Sequence, residues 1–165
     1  MTDVMGVLAA LLACAAMAPA VAHVLELPGK LRLTRSEYVA VQQIYYPGFT
    51  IAGLSEVPGI LVTAAALALT EVGGVDFMLR AVAVVALVGM QAVYWLRVHP
   101  VNGFWLEGES LDRLSSGFFT FAGRRRMGRA GHVEWTDLRD RWESGHAARA
   151  GLALVSVTAL VVALV

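Results

Sequence analysis

Cysteine is nearly missing from this 165-residue chain: Cys14 stands alone, deep in an apolar run. A single thiol excludes a disulfide framework and the Cys-based zinc and iron–sulfur motifs, and Cys14 reads as a small hydrophobe facing a neighbour or lipid. Charge is scarce as well, at 16% of residues against 58% hydrophobic, far from the balance of a soluble domain. No internal repeat or low-complexity tract breaks the pattern. The zero formal net charge hides an uneven distribution of charges along the chain.

What is present is a set of long apolar runs. Val4 to Val24 is almost purely apolar and long enough to cross a bilayer as a helix. Ala18-Pro19-Ala20-Val21-Ala22 imitates a signal-peptide cleavage site, but Asp3 and the lack of Lys or Arg before the apolar core oppose that reading. A retained first span over about 4–27 is expected, ended by Pro28-Gly29, with His23 and Glu26 in its last turn. After Lys30, Arg32 and Arg35, Ser36-Glu37 opens a second span over about 38–70, where Pro47 and Pro58 predict kinks rather than breaks. Glu56 sits inside it, on the order of 15 Å past the apolar boundary at helical rise. On an unbroken helix Gln42 and Tyr45 extend a polar track toward that carboxylate.

The third span, about 77–98, carries Gln91 and Trp95 and is expected to end at His99-Pro100, with Arg80 pairing to Asp76 one turn earlier. A loop of about 99–135 follows, in which apolar residues such as Phe104 and Leu111 interleave with Glu107, Glu109 and Asp112, as suits a segment lying in the interface. Arg124 to Arg129 reads as a topology signal facing anionic lipid, with no nucleic-acid role. A helix from Thr136 carries Trp142 and runs without a breaker into the fourth span, about 136–165. Fold class is therefore all-α: a single membrane domain, 1–165, built as an integral membrane four-helix bundle with an interfacial segment between helices 3 and 4. Of 13 Lys and Arg, three lie between spans one and two and nine from Arg97 to Arg149. The positive-inside rule then puts both larger loops in the cytoplasm and both termini outside, in a bacterial-type plasma membrane.

That threading gathers His23, Glu26, His99, Asn102, Glu143 and His146 at similar depth. Imidazole and carboxylate are costly in lipid and usually face the interior with a partner. Glu143 and His146 also have the Glu-x-x-His spacing with which helical bundles present metal ligands. One reading is a metal centre: His23, His99 and His146 as nitrogen ligands, Glu26 and Glu143 binding or orienting, iron or copper favoured. In it Glu56 handles protons or lines the cavity that takes a small apolar substrate, with Gln42 and Tyr45 near its face. The bland reading has interfacial histidines bonded to helix ends, with Glu143 answering Arg139, and Tyr45, Tyr46, Tyr94, Trp95, Trp105, Trp135 and Trp142 as an interfacial aromatic belt. A haem b or quinone electron-transfer protein with two axial histidines, a cofactor-free oxygenase, and a noncatalytic carrier or assembly factor, alone or as a homo-oligomer, complete the alternatives.

The segments His99-Pro-Val-Asn102 and Arg141-Trp142-Glu143-Ser-Gly-His146-Ala-Ala-Arg149 resemble the small four-helix membrane proteins grouped with the anthrone oxygenases. The resemblance covers about the last 70 residues and the first two spans only in outline. It implies oxidation of a polycyclic phenolic or similar aromatic substrate by molecular oxygen, with Asn102, Trp142, Glu143, His146 and Arg149 at matching functional positions. His23-Val-Leu-Glu26 and His99 depart from that pattern by adding ligands.

Overall fold

A computed structural model describes residues 2–45, 47–105 and 134–165. Tyr46, the expected interfacial segment beyond Trp105, Arg124 to Arg129 and His132 lie outside the described residues. Regular structure among the described residues is helical throughout: α1 (Thr2–Lys30), α2 (Arg35–Gln42), α3 (Gly48–Gly53), α4 (Glu56–Ala68), α5 (Val75–Val93), α6 (His99–Trp105) and α7 (Trp135–Val162). Four stretches are long and apolar enough to cross a membrane: Val4–Lys30, Gly48–Ala68, Val75–Asn102 and Trp135–Val162. α1 packs on α4 and α7, and α5 packs on the same two helices.

The packing seams explain what faces inward. Along α1, Ala9, Ala13, Ala16 and Ala20 are fully buried, at alternating steps of four and three residues. That spacing keeps one stripe against a neighbouring helix, and small side chains let the backbones approach. His23 and Lys30 continue the stripe, and both are buried. On α4 the buried positions Glu56, Gly59, Thr63 and Ala66 form a second seam, and on α7 the buried Trp142, His146, Arg149, Ala153, Ser156 and Leu160 form a third. Each seam begins or ends in polar residues at one end of the molecule. Large apolar side chains such as Leu11, Leu61, Val85 and Leu154 point outward, compatible with an apolar surrounding.

Prolines shape the elements differently from expectation. α1 does not stop before Pro28 but runs through it to Lys30, which carries the Lys30 ammonium into the interior. The second run breaks outright at Pro47, after a 3₁₀ turn Gln43–Tyr45. Around Leu54 and Ser55 it only bends: both keep helical dihedrals, and Ser55 N–H bonds Ala52 O at 3.1 Å. Pro58 falls in the first turn of α4, where backbone N–H groups have no intrahelical acceptor to lose. The third run does not end at Pro100; a π turn, Tyr94–Val98, leads straight into α6. Pro100 cannot donate to the carbonyl of Leu96, and Arg141 Nη2 donates there instead, at 2.9 Å. Arg80 is buried and donates to Thr70 Oγ1, replacing the expected pairing with Asp76.

Candidate functional site

Glu56, first residue of α4, is buried and held by Arg149 of α7, whose Nη2 donates to its Oε1. Gln91 of α5 closes the other side. With its amide turned by the groups around it, it donates to Glu56 Oε2 at 2.5 Å and accepts from Trp95 Nε1 at 3.0 Å. Arg149 Nη1 lies 3.4 Å from His146 Nδ1, and the guanidinium sits 5.2 Å over the Tyr94 ring. His146 in turn stacks near His23, ring centroids 4.1 Å apart. Four helices, α1, α4, α5 and α7, therefore meet at one small polar core.

Lys30 organises the side of this core nearer the helix ends. Its ammonium is 3.0 Å from Glu143 Oε1, 3.6 Å from Glu26 Oε2 and 3.3 Å from His23 Nδ1. Tyr38 of α2 donates to Glu143 Oε1 at 2.8 Å, and Tyr45 donates to Glu26 Oε2 at 2.6 Å. Burial and the adjacent carboxylates push both hydroxyls above the ordinary tyrosine range, so they stay protonated and donate. α2 is set in place by a capping box in which Thr34 N–H donates to Glu37 Oε2 at 2.8 Å. Those bonds hold the exposed Glu37 carboxyl below its usual range.

The cations fix the histidine tautomers. Ammonium and guanidinium groups can donate but not accept. The contacts of Lys30 with His23 Nδ1 and of Arg149 with His146 Nδ1 therefore require both Nδ1 atoms to be acceptors. Each neutral ring then carries its proton on Nε2. His146 Nε2 is buried without a hydrogen-bond partner, as are Arg149 Nε and Gln42 Nε2.

All three of those residues line one cavity of about 310 Å³, a volume suited to a small ring compound. Its polar lining includes His23, Glu56, Gln91 and Asn102, and its aromatic walls are Tyr45, Phe49, Tyr94, Trp95, Trp105 and Trp142. Asn102 Oδ1 accepts from Trp142 Nε1 at 2.8 Å. Tyr45, Trp105 and Trp142 are buried in this wall instead of forming an exposed belt; Trp95 is 47% exposed.

Of the residues singled out in the sequence, Gln42, Tyr45, Asn102, Trp142, Arg149, Glu56, His23 and His146 share the cavity lining. Gln42 and Tyr45 reach it although no unbroken helix joins them to Glu56. Glu26 and Glu143 stand behind the wall, gathered by Lys30. Glu143 answers Lys30 and Tyr38, while Arg139 pairs with Asp140 at 2.8 Å. His99 is buried but is not among the lining residues; it packs on Trp95, centroids 4.6 Å apart, and on Tyr94 at 5.5 Å. Lys30 and Tyr38 escaped the sequence reading. The signal for Lys30 was spacing: it is seven residues beyond His23 and four beyond Glu26, on one helical face.

These donors do not fit a metal as they stand. Among the described residues no three His, Cys, Asp or Glu side chains are grouped to hold an ion. Lys30 and Arg149 occupy the Nδ1 lone pairs of His23 and His146, and the buried carboxylates already face cations. His23 and His146, with ring centroids 4.1 Å apart, are too close to serve as the axial pair of one haem, whose ligands stand on opposite faces of the macrocycle. No protein-family model, curated protein or solved structure matches the chain.

Proposed function

We propose that the chain is an integral membrane oxidoreductase that oxidises an apolar aromatic or phenolic compound with molecular oxygen, in the cavity between α1, α4, α5 and α7. Its four apolar helices cross the bilayer, with the positively charged loops cytoplasmic and the termini outside. The observation that carries the reading is the pairing of aromatic walls with a polar inner face of Arg149, His146, His23 and Glu56. Aromatic walls take a planar ring, and N–H donors at its edge hold the ring oxygen that becomes the quinone carbonyl as two electrons and two protons pass from a dihydroxy ring to oxygen, which leaves as hydrogen peroxide. Glu56 and Gln91 hold Arg149 in position, and Lys30 holds His23. The resemblance to anthrone oxygenases supports the same class of reaction. The donor chemistry supports a reaction run without a resident metal.

Oxygen uptake by the protein in liposomes, with hydroxylated naphthalenes and anthracenes against empty liposomes, tests this reading. Uptake with quinone formation is expected, reduced at least tenfold in His146→Leu. Uptake equal to the empty liposomes for every compound would remove the oxidase reading. Stoichiometric iron or copper in protein purified without chelators would instead restore the metal centre.

A further inference from the structure

Leu54, Val57 and Trp95 belong both to the cavity lining and to the exposed surface, at 56%, 52% and 47% exposure. A side chain that does both stands at a mouth. Leu54 and Val57 are an i, i+3 pair across the bend from α3 into α4 and share a face, while Glu56 between them is turned inward and buried. Trp95 stands on the other element of the rim, the π turn. Its Nε1 is spent on Gln91 at 3.0 Å, and an indole has no second polar atom. What it exposes is therefore hydrocarbon.

The rim is thus wholly apolar, and its position matches its chemistry. Leu54 and Trp95 lie roughly 10 Å in from Gly48 and Asn102, the nearer ends of their apolar stretches, at helical rise. Toward the helix ends, by contrast, the lining residues Gln42, Tyr45, Trp105 and Trp142 are all buried. Gly53 completes the mouth. It lines the cavity, and a Cβ built on it meets no atom within 4 Å. A larger side chain there would fill the opening without striking the fold.

We propose that the cavity takes its ligand sideways out of the hydrocarbon, through a mouth framed by Leu54 and Val57 on one side and Trp95 on the other, with Gly53 setting its width. The ligand class is a neutral ring compound dissolved in lipid. A charged analogue of the same ring would have to shed its water against an apolar rim and is excluded. This rests on the helices spanning a bilayer and on the cavity being the substrate site, and it makes Gly53 and Trp95 determinants of which compounds reach that site.

Tryptophan fluorescence of the full-length protein in phosphatidylcholine liposomes tests the mouth without turnover. Lipids brominated at mid-chain should quench part of the emission, and Trp95→Phe should remove that part, because Trp105 and Trp142 are buried. Quenching that Trp95→Phe leaves unchanged would overturn the proposal. In a Trp95→Phe, Trp135→Phe background the remaining emission comes from Trp105 and Trp142, which line the cavity. Bromobenzene, neutral and lipid-soluble, should quench them, and adding Gly53→Phe should cut its quenching constant at least fivefold with the melting temperature unchanged. Acrylamide, confined to water, should leave them nearly unquenched. Strong quenching by acrylamide, or bromobenzene quenching indifferent to Gly53→Phe, would overturn the lateral route. Should Gly53→Phe not fold, Val57→Phe narrows the same mouth, and the brominated-lipid result on the unmodified protein still decides where the mouth faces. Mouth-dependent quenching with no oxygen uptake on any phenol would uphold the mouth and sink only the oxidase reading.

Discussion

Single residues at this site act through charge balance. Lys30 is 3% exposed and is the cation facing Glu143 and Glu26, so removing it strands carboxylates in the interior. Lys30→Met should lower stability by about 3–5 kcal/mol, read from thermal unfolding in detergent, and Lys30→Arg should recover part of it. A loss below about 1 kcal/mol would mean that the ammonium is not placed as described. Tyr38 gives a pH signature. Its folded-state pKa is raised above its unfolded value by burial and Glu143, so the neutral hydroxyl is the form the fold favours. That contribution is complete below about pH 10 and is lost as pH rises further. The unmodified protein should lose stability faster than Tyr38→Phe above pH 10, and Tyr38→Phe should be the less stable of the two at pH 7. Parallel curves would contradict a buried Tyr38–Glu143 bond.

Elements bring these residues together through close approach at a few points. A Cβ added to Gly145 of α7 would lie 2.7 Å from Val98 Cγ2 and 3.5 Å from Arg97 Cβ in the π turn. Val98 is 1% exposed and short, with little room to swing away. Gly145→Ala should therefore push α7 off the π turn and cost about 1–3 kcal/mol, with weaker ligand binding in the adjoining cavity; Gly151→Ala, with open space around it, should be nearly silent. Much of this arrangement was legible in the sequence because polar groups in apolar helices are expensive and need partners. That reasoning selected His23, Glu56, Glu143 and His146, and the resemblance added Arg149. Proline rules misjudged the ends: stopping α1 at Pro28 excluded Lys30, and stopping α5 at Pro100 hid the π turn. The π turn adds a residue to one turn, so the face carrying Gln91 does not continue regularly to His99. The threading placed His99 at the depth of the other histidines, but it packs against Trp95. The heptad-like seams, by contrast, could have shown that His23 and Lys30 share a stripe with the buried alanines.

At the scale of the whole molecule, outward Leu and Val and inward Ala, Gly and polar groups fit a lipid surrounding, and the proposed orientation, with the basic loops cytoplasmic, is testable. In a Cys14→Ser background, Ser115→Cys should be labelled by an impermeant thiol reagent only in inside-out vesicles; labelling in intact cells would reverse the topology. The account turns on one chemical state: imidazoles of His23 and His146 that are neutral and carry their protons on Nε2, because Lys30 and Arg149 occupy both Nδ1 atoms. Nitrogen-15 NMR of histidine-labelled protein in lipid, assigned with His→Gln variants, reads that state directly. An unprotonated Nδ1 and a protonated Nε2 on both rings are predicted. Protonated Nδ1 with an unprotonated or metal-shifted Nε2 on either ring would contradict this account and return that histidine to the role of ligand or base.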